Sequence, residues 1–210
     1  MKKQMIAALG LLSLSNIALA DLSANIGMSS DYLVRGSTQT NHASAVSGGM
    51  DYNHNSGAYA GTWVANINAG TEIDLYAGYA GDMGSIGYDV GIIHYGYPIA
   101  SGATDAKEMY VSGSWDFASA TLYMNTDSDA GQYLSIDLSH EIAGLSLALH
   151  QGSTMGVEGA DNVSDTSISV GKTVSDWDWN MSVATNSGVN SANDSTIIQP
   201  VISFSRSFDL

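Results

Sequence analysis

From Thr71 to Tyr95 the chain reads TEIDLYAGYAGDMGSIGYDVGIIHY. Ile73, Leu75, Ala77 and Tyr79 alternate with Glu72, Asp74, Tyr76 and Gly78, the two-residue period of a strand whose faces meet different surroundings. After Gly81-Asp82-Met83-Gly84 the alternation resumes, with Ile86, Tyr88, Val90 and Ile92 set against Gly87, Asp89 and Gly91. Two such runs joined by a tight turn predict a β-hairpin.

The same alternation recurs along the chain. Leu22 to Arg35 predicts a first strand of fourteen residues, with Leu22, Ala24, Ile26, Met28, Tyr32 and Val34 on one face and Asn25, Asp31 and Arg35 among those on the other. That is long for a globular strand and comfortable for one tilted across a bilayer. Further strands are expected around Val46 to Tyr52, around Tyr59 to Ile67 with Tyr59, Gly61, Trp63, Ala65 and Ile67 on the apolar face, and around Met109 to Trp115. Others follow around Leu122 to Met124, Leu134 to Leu138, Leu145 to Leu149, Ile168 to Val170, Trp179 to Val183 and Ser195 to Phe208, which makes twelve.

The connectors alternate in kind. Short turns at 53–57, 81–84, 117–119, 140–144 and 175–178 interleave with longer, more polar segments at 36–43, 98–106, 126–131, 151–163 and 187–194, with Asn68-Ala69-Gly70 as a short exception. Short turns on one rim and longer loops on the other predict an all-β fold, a closed antiparallel up-and-down transmembrane β-barrel of about twelve strands. Closure has a physical reason, because an open sheet edge in hydrocarbon leaves backbone groups unpaired. Tyr52, Tyr59, Tyr79, Tyr88, Trp115, Phe117, Trp177 and Trp179 all fall within a few residues of the short turns, as an interfacial girdle does.

The N-terminus and the charge balance narrow the setting. Lys2 and Lys3 precede an apolar run from Met5 to Leu12, and Ala18-Leu19-Ala20 precedes Asp21. This is the layout of a secretory signal peptide cleaved after Ala20, so residues 1–20 read as a leader and 21–210 as an outer-membrane barrel of a Gram-negative bacterium. Without the two leader lysines, four basic residues stand against 21 acids, a balance of 4 − 21 = −17. Such acidity excludes nucleic acid as a partner. The chain has no cysteine, consistent with a domain large enough to need no covalent staple.

Three stretches, SANIGMSSDYLVRGSTQT, AVSGGMDYNHNSGAYAGTWVANI and EIDLYAGYAGDMGSIGYDVGIIHYGYP, together with VISFSRSF near the end, resemble the TorF-type porin family of exported proteobacterial proteins. The resemblance is strongest over Leu22 to Pro98. It implies an outer-membrane barrel associated with trimethylamine N-oxide respiration, and so brings that amine oxide in as a solute. It transfers no catalytic or ligand residues. It also implies that the barrel-assembly machinery reads the C-terminal strand ending near Phe208, although Asp209 and Leu210 follow that aromatic residue here.

Strand parity places Asp31, Asp51, Glu72, Asp74, Asp89, Glu108, Asp116 and Asp137 on the inner wall, with Arg35 as the lone inward base. Acidic rings inside low-dielectric walls favour cations. Inward Tyr76, Tyr95, Tyr110, Tyr123 and Tyr133 add ring faces that attract cationic head groups. The expected activity is passive passage of small cationic or zwitterionic solutes through a narrow porin-like pore, with Arg35 forming a constriction near the long-loop rim. The plainer alternative leaves the acids to solvate a wet interior or pair with Arg35, and the rings to pack.

No catalytic, metal or cofactor site is expected. Asn125-Thr126-Asp127-Ser128-Asp129 begins like a calcium loop, but Ala130 and Ile136 replace the glycine and the bidentate glutamate that such loops need. His140-Glu141 begins like a zinc-protease motif, with Gly144 in place of the second histidine. A serine–histidine–acid set built on His140 or His150 is the residual enzymatic alternative. Two other classes compete with the channel: a non-conducting structural or adhesive barrel, and a soluble periplasmic β-sandwich that binds a ligand. The expected partners are outer-membrane lipid, small polar solutes and the assembly machinery.

Overall fold

The computed structural model describes residues 21–99, 104–126, 130–157, 162–187 and 198–210, so the expected leader and residues 127–129 of the calcium-like run lie outside the described residues. The strands are β1 (Asp21–Ser29), β2 (Leu33–Val34), β3 (Ser37–Thr38), β4 (Ala45–Asn53), β5 (Ala58–Ile67), β6 (Gly70–Met83) and β7 (Ile86–Gly96). They continue with β8 (Ala106–Trp115), β9 (Ala118–Asn125), β10 (Gln132–Ile142), β11 (Leu145–Met155), β12 (Val163–Val174), β13 (Trp177–Asn186) and β14 (Gln199–Asp209). β2 and β3 pair only with each other. The other twelve form one closed antiparallel barrel in chain order, β1 lying between β4 and β14.

The seam runs in register from Ser23 opposite Asp209 to Ser29 opposite Ser203. Beyond it the Leu210 amide donates to the Leu22 carbonyl at 2.9 Å, so the last residue still extends the ladder. A single closed sheet removes the sandwich alternative, in which two layers would bury the apolar faces against each other.

Those apolar faces point outward. Leu75 is 55% exposed, Ile136 49%, Leu149 44%, Ile168 62% and Met181 58%, while Glu72, Asp74, Glu108, His150 and Asp165 are buried on the opposite parity. A water-soluble fold would reverse this arrangement; an apolar belt around a polar interior suits a barrel whose outside meets hydrocarbon. Tyr52, Tyr79, Tyr88, Trp115, Phe117 and Trp179 are exposed near the short-turn rim, as expected of a girdle. Arg206 also lies near that rim, 3.4 Å from Asp176 in the β12–β13 turn.

Two turns on this rim have both central residues in the left-handed region: Ala143 and Gly144 at φ 53° and 75°, and Ser175 and Asp176 at φ 51° and 65°. Their twist matches that of the flanking strands, which is why two-residue hairpins adopt it even without an Asn-Gly pair.

Three expectations need correction. β1 ends at Ser29, not Arg35. The alternation from Asp31 onward belongs to the separate β2–β3 hairpin, which leaves the wall and turns at Arg35 and Gly36 with φ 50° and 71°. β5 has its faces reversed: Tyr59 and Ala65 are buried and Trp63 is half-buried, while Val64 is exposed. The large aromatics of that strand fill the interior and its small residues face out, and a one-residue error in parity flips every side chain. Finally, Asp116 lies in the β8–β9 turn at φ 53°, exposed at the short-turn rim and away from the inner wall.

Candidate functional site in the barrel lumen

The β2–β3 hairpin folds inward and is held together by a buried acid. Asp31 Oδ1 accepts from the Thr38 and Thr40 hydroxyls at 2.7 and 2.8 Å, and Asp31 Oδ2 lies 2.9 Å from His42 Nδ1. Asp31 is therefore the hub of the hairpin and not part of the wall. Tyr32 packs edge-on against Trp63 of β5 with ring centroids 5.3 Å apart.

The hairpin tip reaches across to other parts of the wall. The Gln199 side-chain amide donates to the Gly36 carbonyl at 2.7 Å, and the Asn186 amide donates to the Arg35 carbonyl at 2.9 Å. Gly36 is needed on two counts: its φ is +71°, and a Cβ there would stand 2.9 Å from the Cβ atoms of both Asp165 and Asn186. The Arg35 guanidinium then extends to β8, where it donates to both Glu108 carboxylate oxygens at 2.9 and 2.7 Å. It also lies over the Tyr133 ring of β10, 4.2 Å from the centroid. A forked guanidinium on a carboxylate and an aromatic face is a strong, directional pairing. The chain thus forms a strut inside its own lumen, bonded at its tip to β13 and β14 and through Arg35 to β8, with the guanidinium resting on a ring of β10.

Of the sequence-predicted wall residues, Asp51, Glu72, Asp74, Tyr76, Asp89, Glu108 and Asp137 all face inward, and they fall into separate groups. Tyr76 donates to Asp51, which also accepts from Asn25 at 3.4 Å. Tyr59 donates to Asp89 at 2.6 Å and shares a hydrogen bond with Tyr110. Asp137 meets His150 Nδ1 at 2.6 Å, and His150 Nε2 lies 2.9 Å from Asp165, which also accepts from Tyr133 at 3.1 Å. His150 thus sits between two carboxylates, 2% exposed.

Glu72 and Asp74 differ from these. They are 2% and 5% exposed, and neither joins an ion pair among the described residues. Glu72 Oε2 and Asp74 Oδ1 are buried without a hydrogen-bond partner, as is Trp63 Nε1.

Asp165, Asn186, Gln199, Trp63 and Tyr97 complete the lumen and were not read from the sequence as inner-wall residues. Asp165 stands three residues before outward Ile168, just past the expected 151–163 loop, so carrying that strand's parity back to its start would have found it. Asn186 and Gln199 act on a hairpin more than 150 residues away in the chain, and no local pattern points there. No group of three or more His, Cys, Asp or Glu side chains among the described residues is arranged to hold a metal ion.

A closed antiparallel barrel with an apolar exterior and a polar, loop-constricted interior is of the outer-membrane type. The chain belongs to the Gcw_chp family, described as bacterial protein of unknown function, whose profile matches residues 17–199. No curated protein matches it in sequence. Among solved structures, the KdgM porin is similar over 90% of this chain and 99% of its own, with a TM-score of 0.61 and 11% identity. The KdgM porin in complex with disordered oligogalacturonate is similar to the same degree, 11% identical with a TM-score of 0.61 over 90% of this chain and 99% of that one. The NanC porin is similar over 90% of this chain and all of its own, at 11% identity and a TM-score of 0.56. At such identities the likeness is one of fold. The matched family carries no function, so the TorF-type resemblance stays a resemblance.

Proposed function

We propose that the protein is a narrow outer-membrane channel for small cationic or zwitterionic solutes, exported by the leader at residues 1–20 and cleaved after Ala20. The observation that carries this reading is the sign of the inner wall: Asp51, Glu72, Asp74, Asp89, Glu108, Asp137 and Asp165 face a lumen in which the arginine, Arg35, is already committed to Glu108. Low-dielectric walls focus such a field, and carboxylate-lined pores admit cations in preference to anions. The barrel shares its fold with a porin solved with oligogalacturonate, a polyanion. Here the wall carries the same sign of charge as that polyanion, which argues for a different solute. The TorF-type resemblance adds trimethylamine N-oxide as a solute to try, and no residue of the lumen singles it out.

Reversal potentials of the refolded protein in a planar bilayer under a salt gradient test this reading. Cation preference supports it and anion preference ends it. Fractionation tests the location: the protein should sediment with outer membranes, show heat-modifiable migration and begin at Asp21.

One observation favours a second reading. The strut from Gln199 and Asn186 through Arg35 to Glu108 ties the hairpin to well-separated strands, and a barrel so braced serves equally as a non-conducting, structural one. Absence of single-channel steps from the native chain, with steps appearing once the hairpin is shortened, would favour that reading.

A further inference from the structure

We infer that Glu72 and Asp74 form a binding site for a small primary ammonium ion, entered from the long-loop rim past Tyr97. The inference deepens the channel reading and rests on it, since it supposes that solutes reach the lumen from that rim.

Two carboxylates two residues apart on β6 point to the same inner face. Both are more than nine-tenths buried, and each has an oxygen with no partner. Every other inner-wall acid described above has a hydrogen-bond donor within 3.4 Å. Asp51 has Tyr76 and Asn25, Asp89 has Tyr59, Glu108 has Arg35, and Asp137 and Asp165 have His150. Glu72 meets only tyrosine hydroxyls, that of Tyr97 at a weak 3.5 Å and that of Tyr32, and no basic side chain among the described residues. Buried carboxylates without a counter-charge are costly, and a cation seated between them offsets that cost.

The surroundings select among cations. Two carboxylates do not supply the six or more oxygens that calcium takes, and no third His, Cys, Asp or Glu among the described residues joins them in a metal-holding group, which speaks against zinc. The neighbours are aromatic: Trp63 stands directly across from Asp74 on β5 and Tyr95 directly across on β7, and Tyr32 packs on Trp63. Rings hold the alkyl part of an organic cation and attract its charge, while the N–H groups of a primary ammonium answer the unpaired carboxylate oxygens. A quaternary ammonium lacks those donors.

Access is visible as well. A cleft of about 460 Å³ opens at the long-loop rim between Thr38, Gln39 and Asn41 on the hairpin side and the 67–69 link with Tyr97 on the wall side. Tyr97 therefore belongs to both the cleft and the carboxylate pair, and displacing its long contact with Glu72 joins the two.

Ethylammonium chloride titrated calorimetrically into the full mature barrel in detergent at neutral pH and low salt tests the site. Saturable binding is expected, weakened at least about tenfold in Glu72→Gln/Asp74→Asn, with tetramethylammonium and potassium binding at least about tenfold more weakly than ethylammonium. Asp116→Asn, on the exposed turn, should leave the isotherm unchanged. Glu72→Gln alone serves if the double variant does not show heat-modifiable migration. An unchanged isotherm in the folded variants, equal binding of tetramethylammonium or potassium, or no saturable heat from the folded wild-type barrel each overturns the site. Bilayer conductance is read separately. A barrel that conducts without binding ethylammonium sinks this inference and leaves the channel, and one that binds without conducting upholds the site and removes the channel reading.

Discussion

Tyr76 of β6 stands directly across from Gly61 of β5, and its ring carbons come within 2.5 Å of where a Cβ on residue 61 would sit. The ring lies on the bare backbone of its neighbour and so can reach Asp51 on β4, two strands away. Cross-strand pairs of this kind fix both register and interior shape. Gly61→Val should displace the ring and destabilise the barrel by about 1–3 kcal/mol, read as a lower temperature for the heat-modifiable gel shift. Gly61→Val/Tyr76→Ala should recover part of that loss, because the two positions share one space. Equal losses in the single and double variants would refute the packing.

Arg35→Ala removes the strut to Glu108 together with the ring contact on Tyr133. Two effects are expected in planar bilayers: larger single-channel conductance, and stronger cation preference, since a positive charge leaves the lumen and Glu108 is freed. The cost to stability should be about 1–3 kcal/mol, because the arginine is partly exposed while its partner is buried. Unchanged conductance would show that the hairpin does not limit the pore.

Gly36→Val should unseat the hairpin tip without touching a charge. The new side chain meets Asp165 and Asn186 at a left-handed φ, so the hairpin must lift from the wall. Faster proteolysis within 30–44 in intact cells and a conductance rise like that of Arg35→Ala would follow. A protease pattern identical to wild type would contradict the seating.

Outward parity is tested by depth. Val90, midway along β7 and 45% exposed, should cost about 2–4 kcal/mol on substitution by Arg, against about 0–1 for Ile86→Arg at the rim. Folding equilibria in lipid vesicles measure both. Equal costs would mean that the apolar belt does not face hydrocarbon.

Glu72→Gln/Asp74→Asn should raise the gel-shift temperature. The amides keep the shape and remove two adjacent buried carboxyl groups that have no counter-ion among the described residues, so whatever charge they carry no longer has to be buried. A lowered temperature would mean that these carboxylates stabilise the fold. Stability gained where binding is lost is the usual trade at a functional site.

The wall was legible in the sequence because each strand must present unlike faces to lipid and lumen, and that demand repeats every second residue through Leu75, Ile92, Leu134 and Leu149. The failures have physical causes too. On β5 the greasier residues face inward, since Tyr59 and Trp63 fill the lumen while Ala60 and Val64 suffice outside, so hydropathy alone chose the wrong face. At Asp31 to Thr38 a small hairpin carries the same period as the wall and cannot be told from it locally. Asp116 fell to a turn begun one residue before the expected one, and the partners of Arg35 lie at sequence separations that no local pattern reports.

The hairpin's tip takes hold of Asn186 and Gln199, which follow it by about 150 residues or more. Those two side chains come into place only when the last strands zip against the first, so early in assembly the tip has nowhere to dock. Whatever narrows this lumen is therefore installed last, and a growing, unsealed barrel stays wide until its two ends have met.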